Sequence, residues 1–146
     1  MTGRLRWRGQ RKPLDPSLVS AIEDHFGVRL PHDYRECLVR NHGASPVVSD
    51  FEVAPLGEAS FRSGIGVLLS AEPDDPENII NTHRGMGRYA DRRLVPIADD
   101  GGGDFVCLDY RSGQPPRIAY FQSELGQVVA LAADFTAFCN MLHEPE

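Results

Sequence analysis

The sequence lacks several features that would assign it to a class at once. No apolar run approaches the ~20 residues of a membrane-spanning helix, and no apolar signal core follows the basic start MTGRLRWRGQRK, so neither a membrane anchor nor a secretory signal is expected. The three cysteines, Cys37, Cys107 and Cys139, are odd in number and far apart. None belongs to a CxxC pair or a Cys/His zinc spacing, which argues against structural zinc and a disulfide framework. Each sits among apolar neighbours, in RECLV, FVCLD and AFCNML. The expectation is buried free thiols in a reducing cytosol. The histidines, His25, His32, His42, His83 and His143, show no HxH or HExxH spacing, so a metal site built from them is only the minor alternative.

Acid is missing only locally. No Asp or Glu precedes Asp15, while Arg4, Arg6, Arg8, Arg11 and Lys12 supply five of the 15 basic residues. The formal net charge is −6, so from residue 13 onward 10 basic residues face 21 acidic ones, a balance of −11. A body this acidic repels nucleic acid and attracts basic partners. The basic arm, residues 1–13, reads as a solvated segment or one that folds back on the acidic body. Residues 14–146 form one domain, long enough to bury a core.

Local signals place the elements. DPSLVSAIEDHFG is a helix with Asp15 or Ser17 as cap, Pro16 in the first turn, an apolar face of Leu18, Val19, Ile22 and Phe26, and Gly27 as stop. Pro31 opens a second helix, with Tyr34, Cys37, Leu38 and Asn41 on one face and Gly43 at its end. The short link makes the two a helical hairpin. DFEVAP and GIGVLLS read as strands. AEPDDPENIINTHRGMGRYA reads as a helix capped by Asp75, with Pro76 and Glu77 in its first turn and Ile79, Ile80, His83 and Met86 on one side. RLVPIA, DFVCLDY, PRIAYFQS and GQVVALA are strands. DFTAFCNML closes the chain as a helix capped by Asp134, with Phe135, Phe138, Cys139 and Leu142 inward.

The stretch PIADDGGGDFVCLDY invites a catalytic reading. A phosphate loop needs a lysine and a following helix; here no lysine follows and the next segment is a strand. Asp99, Asp100 and Asp104 lack the EF-hand order, and no nearby His, Ser or Cys completes a nucleophile–base pair. A hairpin turn needs nothing more than glycine at positive φ and Asp in the turn. An enzyme or metal protein using these three carboxylates remains a third alternative. The acids of Glu72, Asp74, Asp75 and Glu77, with those of Asp99, Asp100 and Asp104, are the candidate partner-binding residues. Their alternative reading is a solvated face that keeps the protein soluble.

The order of motifs is similar to a known family. IEDHFGVRLPHDYRECLVRNHGASP resembles the opening of the SUKH superfamily, which includes the yeast cell-wall assembly regulator proteins and many bacterial immunity proteins. Glu23, Phe26, Gly27, Leu30, Pro31, Tyr34, Leu38, Gly43 and Pro46 fall in place. LVPIADDGGGDFVCLDY resembles the central hairpin through Pro96, Ile97, Gly103, Asp104 and Asp109. ALAADFTAFCNML resembles the closing helix through Ala133, Phe135, Phe138 and Leu142. NHGA stands where the pattern usually has Asn-Gly-Gly. The resemblance implies an α+β fold, a curved and mainly antiparallel sheet with the helices packed on it. It implies no catalytic residues and no cofactor. The function it implies is a cytoplasmic immunity protein that binds a cognate toxin, often a nuclease. The alternative is a regulatory or scaffold module of the same fold with a different partner. Neither nucleic acid nor membrane is an expected partner.

Overall fold

A computed structural model describes residues 5–87 and 91–145 of the chain. Arg4 of the basic arm and the 88–90 end of the third helical segment lie outside the described residues. The fold is α+β. Helix α1, Pro16–Phe26, starts where the Asp15 carboxylate accepts the Ser17 N–H at 2.9 Å. It stops at Gly27, whose φ of 67° suits a residue without Cβ. Helix α2, His32–Asn41, follows Pro31 and buries Tyr34, Cys37, Leu38 and Asn41. On α1, Val19, Ile22 and Phe26 are buried, whereas Leu18 is only half-buried. Glu23 stitches the pair together: its carboxylate accepts the Leu30 N–H at 2.8 Å and Arg35 Nη2 at 2.7 Å. Burial pushes this carboxyl up, but those donors outweigh it and hold it below its usual range. Its stabilisation is therefore present at neutral pH and lost as pH falls through the depressed value.

The strands form three antiparallel ladders. β1, Trp7–Arg8, pairs with β2, Ser45–Pro46. β3, Asp50–Val53, pairs with β4, Phe61–Gly64. The main sheet has the order β5, Leu94–Asp99; β6, Phe105–Asp109; β7, Arg117–Gln122; β8, Gln127–Ala132. Strand alternation sends Val106, Leu108, Ile118 and Tyr120 into the main core, and Cys107 and Phe121 into a smaller cluster with Met86 and Leu94. Helix α4, Phe135–Met141, is capped by Asp134 and closes the main core. Its Phe135 ring meets Tyr34 at 5.4 Å and its Phe138 ring meets Phe51 at 5.3 Å, both edge-on. Asp33 ties α2 to α4 by accepting the Thr136 N–H at 3.1 Å and the Thr136 hydroxyl at 2.7 Å. None of the described helices is long and apolar enough to cross a membrane.

Three expectations need correction. GIGVLLS is not a strand; the strand before it is Phe61–Gly64. Residues 66–69 divide their backbone bonds between two partners, Ala44 and Gly43 on one side and β5 on the other, so no regular ladder forms. The third helix, α3, spans Ile79–Gly85 and begins at Asn78, not Asp75. Asn78 accepts the Asn81 N–H at 2.8 Å, while Asp75 is held by Arg11 and by the Glu77 N–H. Leu142 ends α4 half-buried, not fully inward. The basic arm, from residue 5, folds back: Trp7 and Arg8 join β2, and Leu5 and Trp7 pack against the core.

All three cysteines are unpaired and buried. Burial raises the Cys37 thiol to about 11 and pushes Cys107 and Cys139 up as well. Little thiolate therefore exists at neutral pH. A thiol reagent added to the native protein should label none of the three quickly, and all three once denaturant is added. Rapid native labelling of all three would contradict their placement.

Candidate protein-interaction surface

The glycine run joins β5 to β6 as a turn, with Gly101 at φ 78° and Gly103 at φ 101°. A strand, not a helix, follows it, as the turn reading requires. Its carboxylates are turned inward on the loop itself. Asp100 Oδ1 accepts the Gly102 N–H at 2.8 Å and the Asp104 N–H at 3.0 Å. Asp100 Oδ2 accepts the Tyr120 hydroxyl at 2.7 Å; Asp104 Oδ2 lies 3.2 Å from the same hydroxyl. Asp104 Oδ1 accepts the Ser123 N–H at 2.9 Å, and Ser123 Oγ donates to the Gly103 carbonyl at 2.5 Å. Asp99 Oδ1 accepts the Val67 N–H at 3.2 Å. A Cβ on Gly66 would come within 2.3 Å of that oxygen, so any other residue there would push the Asp99 carboxylate off the Val67 N–H.

Burial first, then the nearby Asp100 and Asp104 carboxylates, push the Tyr120 phenol well up, so it stays a proton donor. Tyr120→Phe leaves two carboxylates without their shared donor. The expected loss is about 1.5–3 kcal/mol, with faster hydrogen exchange at the Gly102 and Asp104 amides. Unchanged exchange at both amides would count against Tyr120 as the organiser of this turn.

The second acidic group is arranged differently. Asp75 Oδ2 accepts Arg11 Nη1 at 2.8 Å, and Glu72 Oε1 lies 3.4 Å from the same nitrogen. Burial pushes the Asp75 carboxyl up, but the Glu77 N–H and Arg11 outweigh it and leave it lowered. Asp74 and Glu77 are exposed. Their side chains have no hydrogen bond or ion pair among the described residues. No hydrogen bond or ion pair among the described residues joins the two acidic groups. Gly66 donates to Asp99 and Leu69 to Ile97, so the segment runs antiparallel to β5 and carries Glu72 away from the glycine turn.

Sequence reasoning missed His42, the residue in the place of a usual glycine. It is 1% exposed. Its Nε2 lies 2.8 Å from the Lys12 carbonyl and its Nδ1 lies 2.9 Å from Ser70 Oγ. A carbonyl only accepts, so Nε2 carries the proton and donates to it, while Nδ1 lies near both Ser70 Oγ and, at 3.6 Å, Glu72 Oε1. Ser70 Oγ in turn accepts the Glu72 N–H at 3.1 Å. Hydroxyl and imidazole are both 1% exposed, so no substrate reaches them; the pair is a structural link from the arm to the acidic loop. The visible signal was the departure NHGA itself. Gly43 keeps the turn with φ 76° while His42 fills the space beneath.

The arrangement offers exposed charge on loops held by a packed sheet, and organised carboxylates whose oxygens already accept protein donors. No curated protein sequence matches the chain. A family model does: the SMI1 / KNR4 family (SUKH-1) matches residues 13–141, from just before α1 to the end of α4. The opening hairpin, the glycine turn and the closing helix, which carry the resemblance in the sequence, all fall inside that match, and the chain belongs to the SMI1/KNR4 (SUKH-1) family.

Proposed function

We propose that the protein is a non-catalytic immunity protein that binds a cognate toxin, basic and nuclease-like, and covers its substrate groove. Family membership supports an interaction or immunity module. The observation that carries the finer reading is the net charge of −6, which stays acidic with the basic arm folded back on the body. An acidic surface can stand in for nucleic acid toward a basic nuclease. Glu72, Asp74, Asp75 and Glu77 form one proposed contact region, and Asp99, Asp100 and Asp104 another. Asp74 and Glu77 are the exposed acids without a partner among the described residues, and so the first to consider. Residues 1–13 are proposed as an arm that clamps the main domain through Arg11. A regulatory or scaffold module of the same fold is the second reading, favoured by the same family membership.

The experiment is co-purification with the product of the adjacent gene. Immunity predicts a stable complex and loss of the toxin's activity within it. A neighbouring product that neither binds nor is inhibited would turn the reading to the scaffold alternative.

A further inference from the structure

The main sheet has one edge covered and one open. Residues 66–69 hydrogen-bond along the outer side of β5. Among the described residues no backbone group bonds to the outer side of β8. Proteins usually block such an edge with charge or proline, yet β8 reads QVVALA and has neither. A bulge between the pairs Ile118–Ala132 and Ala119–Ala130 bends its far end. The regular open stretch is therefore residues 127–130.

A separate observation points to the same place. Among the described residues, the large hydrophobic side chains left exposed are Leu56, at 99%, and Leu125, at 65%. Leu125 lies in the turn that feeds β8. Leu56 lies in the β3–β4 turn, which reaches the start of β8 where Gln127 Nε2 donates to Glu58 Oε2 at 3.2 Å. The Glu58–Gln127 bond thus brings the turn that carries Leu56 to the head of the open edge, where the turn that carries Leu125 also lies. The charged residues beside them, Glu58 and Glu124, are both acidic and exposed.

We propose that this end of the sheet docks an extended segment of another protein, an apolar strand flanked by lysine or arginine, which adds to β8 as a further strand. Leu56 and Leu125 cover its apolar side chains, and Glu58 and Glu124 meet its basic flanks. A second copy of this chain is the wrong occupant, because its own edge, residues 123–132, carries Glu124 and no lysine or arginine to meet these acids. The inference rests on the reading of the chain as a protein-binding module, but uses none of the acids at 72–77 or 99–104.

The test uses the full, isotopically labelled chain and a synthetic peptide of about ten residues, threonine and valine alternating around a leucine, with lysines at both ends. Amide shifts and slowed exchange are expected at 127–130, with shifts at Leu56 and Leu125. The double variant Leu56→Ser with Leu125→Ser should weaken binding by about tenfold or more, as should Ala130→Lys, which charges the edge. All three side chains are exposed, and melting curves would confirm folding. No binding, shifts confined to the acidic loops, affinity unchanged in both variants, or a dimer of the chain paired through β8 would each overturn the proposal. The test needs no toxin, so failure of toxin co-purification leaves it standing.

Discussion

Phe138→Ala should destabilise the fold by about 3–5 kcal/mol, out of the ~5–15 kcal/mol that a domain of this kind holds. Phe138 is 1% exposed at the centre of α4. Its ring meets Phe51 edge-on, and Phe51 meets Tyr120 of β7 at 6.0 Å. The ring therefore joins helix, hairpin and main sheet at one point. Truncation leaves a cavity between three elements that cannot close on it without moving one another. Denaturant melts should show a lower midpoint with little change in slope. A midpoint within error of the unaltered protein would refute the placement of α4.

The second large effect concerns association. Asp74→Lys with Glu77→Lys should slow binding of a basic partner by about tenfold or more at low salt, with a smaller change in dissociation. Both side chains are exposed and unpaired among the described residues, so folding should survive. Reversing Asp100 would be a poor test, because its carboxylate holds the Gly102 and Asp104 amides. The partner would come from the co-purification above, and stopped-flow rates would be read at two salt concentrations. The gap between variant and parent should shrink as salt screens the field beyond ~8 Å. Equal association rates at low salt would end the acidic-interface proposal for the 72–77 region.

Helices α1, α2 and α4 were legible because their signals are local: Asp15 and Asp134 as caps, Pro16 in the first turn, Gly27 as stop. The glycine turn was legible for the same reason. The start of α3 was not. Asp75 is a good cap by type, but Arg11, 64 residues away, holds its carboxylate, and Asn78 caps in its stead. GIGVLLS has strand composition, yet its backbone serves the Gly43–Ala44 turn and β5 together. The acids could be counted from sequence. Which oxygens were already occupied could not, because Tyr120, Ser123 and Arg11 arrive through tertiary contact. His42 was overlooked because its partners, Lys12 and Ser70, are 30 and 28 residues away.

The link from His42 to the Lys12 carbonyl sets a limit on trimming. The family match begins at residue 13, one residue past that carbonyl. A chain cut at the border would remove the carbonyl that His42 Nε2–H donates to and open the buried ring to water. It would also strip Arg11 from Asp75 and Glu72. The shortened protein would lose the link from the arm to His42 and carry a loop with its counter-ion gone, less stable and more acidic there than the parent. The arm outside the border is a plug, and a binding measurement on the trimmed chain would report an altered surface.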